Sequence, residues 1–320
     1  MLASRFLSAA LLVTALFVVS CGDDATQGAP TEIALEDVRE ELRTLVDVSR
    51  PTTANGEFSG SPERRLETRL WYAERALAQP ACRGRGCALI LLAHGFGGHT
   101  ERFDAIGQRL AAAGYIVAAV SFPLTNQEAP GGFTNAIGDA AQQPADLSFV
   151  LDALLDATRD PADSLYERID SENVGAMGHS LGGATVIAAS RTACCSDARI
   201  AATVYMEPVA FAVEALFGEP FTASGPATMT FQGQADFPVP VAESRAFHAA
   251  LAGRKILVEM VGGNHINMIE RFADEPDPLL SEAADMMIAF YDAYLVDGPN
   301  LVDQAAERLR GSGHTVRIEG

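Results

Sequence analysis

From Leu66 onward the chain alternates short apolar runs with amphipathic stretches, and this alternation constrains the fold more than any other feature. Residues 66–72, 88–93, 115–122, 173–177, 200–206, 227–232 and 256–261 have the length and apolar, β-branched or aromatic character of strands. Helices are predicted over 100–113, ending at Gly114, over 146–158, from Leu181, and over 241–251 and 279–295. In the helix over 146–158, Leu147, Val150, Leu151, Leu154 and Leu155 share one face, which needs a sheet to cover it. Strands separated by helices pair in parallel, so the expected class is α/β: a mostly parallel central sheet flanked by helices on both faces. The tail over 315–319 is read as an added edge strand.

The first twenty residues stand apart from this pattern. Arg5 and an apolar run over 7–19 lead to Ser20 and Cys21, too short a stretch for a membrane span, and 1–20 is read as a signal peptide. Val18-Val19-Ser20-Cys21-Gly22 resembles a bacterial lipobox, which implies acylation of Cys21 and a membrane anchor in the cell envelope, with Gly22 favouring the outer membrane. An ordinary secretory signal cut at the same place stays open as the alternative. Residues 21–30 are small and polar or acidic, as in a flexible tether, and a single domain is expected over 31–320.

Charge excludes one class of partner. The sequence holds 23 Lys and Arg against 42 Asp and Glu, a net −19, and loss of Arg5 with the leader leaves 22 against 42, or −20. Such a chain repels nucleic acid. Four cysteines follow Cys21. Cys82 and Cys87 flank a four-residue turn-forming spacer and are expected to pair, a bridge worth about 2 kcal/mol. Cys194 and Cys195 are adjacent; a strained eight-membered disulfide ring and two reduced thiols both remain open.

The chemistry is concentrated at strand ends. Gly178-His179-Ser180-Leu181-Gly182-Gly183 lies between a strand and a helix and fits G-x-S-x-G, in which a sharp turn thrusts a serine nucleophile out of the sheet edge. Helix initiation at Leu181 aims its backbone N–H at the place where an oxyanion develops. Ala93-His94-Gly95-Phe96-Gly97-Gly98 follows an earlier strand, where the second donor is expected, and Phe96 N–H is the candidate. His94 precedes that turn and is read as bonding the loop. His265, in Gly262-Gly263-Asn264-His265 after the strand over 256–261, fits the general base. Asp236 follows the strand over 227–232 and fits the acid that orients the base, giving the chain order Ser180, Asp236, His265. Glu207, one strand earlier, is the alternative acid. His99, His248 and His314 sit in a helix start, a helix side and the tail.

Together these four segments resemble the α/β-hydrolase superfamily over residues 66–295. Within it, the His94-Gly95-Phe96-Gly97-Gly98 loop, Gly114-Tyr115-Ile116-Val117 and Asp146-Leu147-Ser148-Phe149-Val150 resemble the branch of platelet-activating-factor acetylhydrolases, chlorophyllases and cutinase-like polyester hydrolases. The resemblance implies a carboxylesterase working through an acyl-enzyme, on a small-molecule, lipid or polymer ester. In the acetylhydrolases the acid can stand where Glu207 does; in the polyester hydrolases it stands where Asp236 does. No cofactor and no metal are expected, because the glycine loop lacks the Lys and Ser/Thr of a phosphate loop and no clustered ligands are spaced for a metal. About twenty residues separate Glu207 from the next strand, which leaves no space for a large lid. The loop over 123–142, with Phe133 in its middle, is expected to border the site. Thioester, amide or peptide cleavage by the same triad is one alternative, and a non-enzymatic binding lipoprotein is another.

Overall fold

The computed structural model describes residues 33–74, 79, 81–82, 86–269, 277–298 and 300–320. The signal peptide, Cys21 and the tether therefore lie outside the described residues. Among those described, nine strands form one sheet: β1 (Val38–Asp47), β2 (Arg64–Ala73), β3 (Cys87–Ala93), β4 (Ile116–Ser121), β5 (Ile169–His179), β6 (Ile200–Met206), β7 (Ala227–Gly233), β8 (Lys255–Met260) and β9 (Thr315–Glu319). Their order is β1-β2-β4-β3-β5-β6-β7-β8-β9. The stretch from β4 to β8 is parallel, and β1, β2 and β9 join antiparallel at the two sides. This is the α/β-hydrolase fold, with the expected edge strand at the tail.

Each face of the sheet carries its own core. Helices α1 (Asp104–Ala112), α6 (Pro278–Tyr294) and α7 (Val302–Gly311) cover one face, through Ile106, Leu110, Met287, Phe290 and Leu309. Helices α2 (Gln143–Ala157), α3 (Leu181–Arg191) and α5 (Val241–Ala250) cover the other, through Leu147, Leu151, Ile187 and Phe247. All seven residues of β3 are buried, as a parallel strand with helices on both sides requires.

Three elements differ from the sequence expectation. Strand β1 was not anticipated: Val38-Arg-Glu-Glu-Leu-Arg-Thr-Leu-Val-Asp is an edge strand studded with charge, and its burial is too partial to leave a clean alternation. Strand β5 begins at Ile169, ahead of its apolar part, because Cys87 and Ala88 pair with Ile169 and Asp170 across an irregular register. Helix α7 follows the Gly298 break and buries only Val302, Ala305, Ala306 and Leu309, a narrow stripe in a charged segment. Disulfides join Cys82 to Cys87 and Cys194 to Cys195, so the second pair takes the bridged alternative.

Between β6 and β7 there are only a 3-10 turn (Ala210–Ala212) and a short helix, α4 (Val213–Phe217), and no large lid. The carboxyl ends of the parallel strands stay approachable there, and the candidate residues stand at that edge.

Candidate active site

Ser180 closes β5 and opens α3 in a backbone conformation that side chains avoid, with φ 54° and ψ −115°. Three bonds hold it there: Ser180 N–H donates to Met206 O at 2.9 Å, and Ala184 N–H and Val209 N–H each donate to Ser180 O at 3.2 Å. The flanking glycines are fixed by close approach. A Cβ on Gly178 would lie 2.2 Å from Gly182 O, and one on Gly182 would lie 2.1 Å from Ala93 O. Ser180 is thus held half-buried, with the start of α3 beneath it.

His265 follows β8 on a turn organised by Asn264, whose side-chain oxygen accepts the N–H groups of Ile266 and Asn267 at 3.0 and 3.2 Å. Its Nδ1 lies 2.8 Å from Asp236 Oδ2. The carboxylate can only accept, so Nδ1 carries the proton and Nε2 offers its lone pair. Asp236 is buried and fully engaged: Oδ2 also accepts Gln232 Nε2 at 3.0 Å, and Oδ1 accepts Val239 N–H at 2.9 Å. Gln232 is steadied in turn by Ser244, whose hydroxyl donates to Gln232 Oε1 at 2.6 Å.

Ser180 and His265 line one cavity of about 120 Å³ together with Phe96, Phe103, His179 and Ile269. Leu181 is the first residue of α3, so its N–H has no partner within the helix. In the loop after β3, Gly97 N–H donates to Thr125 O at 2.8 Å and Gly98 N–H to Gly95 O at 3.0 Å. Phe96 N–H has no backbone carbonyl partner among the described residues. The loop over 123–142 braces this segment, and the Phe133 ring meets Phe96 edge to face at 5.3 Å. His94 is buried with Nδ1 2.7 Å from Gly95 O and with Phe122 N–H donating to Nε2 at 3.1 Å. Burial pushes its ring down to about 4, and it serves the loop.

Glu207 lies near the base, but the Nδ1 bond of His265 goes to Asp236. Glu207 is fully buried at a left-handed φ of 46°, its Oε1 accepts Gly233 N–H at 3.3 Å, and Oε2 has no hydrogen-bond partner among the described residues. Burial, reinforced by the nearby Asp236 charge, raises its carboxyl well above the ordinary value.

The structure also gathers a cluster that sequence spacing did not reveal. Ligand atoms of His179, Glu207 and His265 lie within 4.8 Å of one another, from β5, the end of β6 and the loop after β8. The His179 ring Nε2 lies 2.7 Å from the His265 main-chain oxygen, which can only accept. Its Nε2 is committed as a donor, so a metal held there would have to break that bond. Only a contact across 86 residues of chain brings these groups together, which is why no local motif announced it.

The alpha/beta hydrolase family matches residues 90–319 of the chain. No curated protein matches it. Among solved structures, a ferulic acid esterase from Streptomyces cinnamoneus is similar at 21% identity with a TM-score of 0.63, over 92% of this chain and 99% of that one. At that identity the likeness is one of fold.

Proposed function

Because the chain belongs to the alpha/beta hydrolase family, we propose that it is a serine-dependent carboxylic ester hydrolase of the cell envelope. The observation that carries the proposal is the 2.8 Å bond from His265 to a buried Asp236, at a cavity His265 shares with the strained Ser180. Esters are named because the acetylhydrolase, chlorophyllase and polyester hydrolase branch that the sequence resembles acts on ester bonds.

In this reaction His265 Nε2 takes the proton from Ser180 Oγ as that oxygen bonds to the ester carbonyl carbon. The N–H groups of Phe96 and Leu181 receive the oxyanion, while Asp236 stabilises the imidazolium. Collapse breaks the bond to the alcohol oxygen, which leaves with the proton from His265. Water, deprotonated by His265, then attacks the acyl-enzyme and releases the acid, and the proton returns to Ser180.

The proposal extends to location: Cys21 carries a lipid that ties the domain to a membrane through the tether. Hydrolysis of p-nitrophenyl esters of graded chain length by the leaderless protein tests the activity. Ser180→Ala and His265→Ala should abolish turnover; wild-type turnover in either would remove the proposed chemistry.

A further inference from the structure

We propose that His179, the residue between Gly178 and the nucleophile, is a positioning residue for the base: its ring N–H holds the His265 carbonyl and so locks the base loop to the nucleophile turn. The inference rests on the serine hydrolase proposal above.

Three strand ends must agree for proton transfer to work: β5 supplies Ser180, β7 supplies Asp236, and β8 supplies His265. The bond from His265 Nδ1 to Asp236 fixes one end of that residue. Rotation about this bond still swings Nε2 relative to Ser180, and the residue's main chain is the remaining handle. His179 Nε2 takes hold of it at 2.7 Å, and the two rings pack with centroids 4.7 Å apart. Because His179 directly precedes Ser180, the strained turn and the base share one rigid connection.

The other side of the ring is equally confined. A Cβ on Gly95 would lie 3.0 Å from His179 Nδ1, so the ring sits against the loop that carries Phe96. Glu207 Oε2 lies 3.6 Å from His179 Nε2. His179 thereby touches the loops of nucleophile, base and oxyanion donor at once, while its own ring is buried.

A clamp beside the base must not compete with it for charge. The groups acting on His179 are His265, Asp236, Glu207 and Arg102. Burial, with the neighbouring His265 adding to it, pushes the ring down to about 3, so His179 remains neutral while His265 cycles through its imidazolium.

The test compares His179→Leu, which keeps bulk but loses the donor, with His179→Gln, whose amide N–H reaches a similar place. Turnover of p-nitrophenyl butyrate and the rate at which a fluorophosphonate labels Ser180 are measured across pH. His179→Leu should lower kcat and labelling by about 10- to 100-fold with KM changed far less, as a displaced base does, and His179→Gln should recover most of the loss. Equal activity of His179→Leu and wild type, or a Gln variant no better than Leu, overturns the proposal. If Ser180→Ala retains turnover, the serine mechanism itself fails. The clamp is then read from the downfield proton NMR signal of His265 Nδ1–H, which should move or broaden in His179→Leu and stay in His179→Gln; an unmoved signal in both rejects it.

Discussion

Two carboxyl groups stand near His265, and geometry gives them different work. Asp236 accepts from Nδ1 and from two further donors, Gln232 and Val239, whereas Glu207 is buried, its carboxyl pushed well above the ordinary value, and turned to a backbone N–H of β7. Asp236→Asn should therefore lower kcat by about 10⁴-fold through the wrong imidazole tautomer, while Glu207→Gln keeps most of its turnover. The converse ranking in steady-state assays would move the acid to Glu207. Glu207 also carries a stability signature. Below about pH 4.3 it is protonated in both states; above that the unfolded chain ionises and the native carboxyl does not, so stability is lost as pH rises towards the raised native value. Urea unfolding should thus show Glu207→Gln gaining on wild type as pH rises above about 4.3. A difference independent of pH would count against the buried neutral acid. His94 and His179 act in the opposite window. Native rings pushed down to about 4 and about 3 refuse protons that the unfolded chain accepts below about pH 6.5, so both erode stability as pH falls through that range. The residues proposed for chemistry could be named from their place after a strand, but the partners of His179 and Glu207 could not, since each contact spans the sheet.

At the scale of elements, the turn from β5 into α3 is a contact between backbones. Gly182→Ala places a methyl against Ala93 O and His94 O, neither of which is a flexible side-chain end, and should abolish soluble expression or activity. The loop over 123–142 depends on a second device. Arg64 of β2, fully buried, donates to Asp139 of that loop at 2.8 and 2.9 Å and to Asp146 of α2 at 2.6 and 2.7 Å. Asp146→Ala leaves part of that charge unpaired and should cost about 3–5 kcal/mol in denaturant unfolding. An effect below 1 kcal/mol, on the order of an exposed pair, would show that the network relaxes. Parallel strands were legible because both of their faces are apolar. β1 and α7 were not: each buries a thin stripe, and pairing or packing at the rim of the domain decides their form.

For the whole molecule, a domain with an approachable strand edge and a strongly acidic chain is proposed to hang from a membrane by Cys21. Cys21→Ser should release the full-length protein from the membrane fraction and abolish incorporation of labelled palmitate; retention with label would place the lipid elsewhere. The leader reading rests on residues adjacent in sequence, whereas the contact of Phe96 with Phe133 joins two loops and had no local signal. The central claim is covalent catalysis at Ser180, and the most direct test is intact-mass and peptide analysis of the leaderless protein quenched during turnover of a p-nitrophenyl ester. One acyl group should appear, on the peptide containing Ser180, and vanish in Ser180→Ala. Turnover that continues in Ser180→Ala, or an acyl group on another residue, would contradict it.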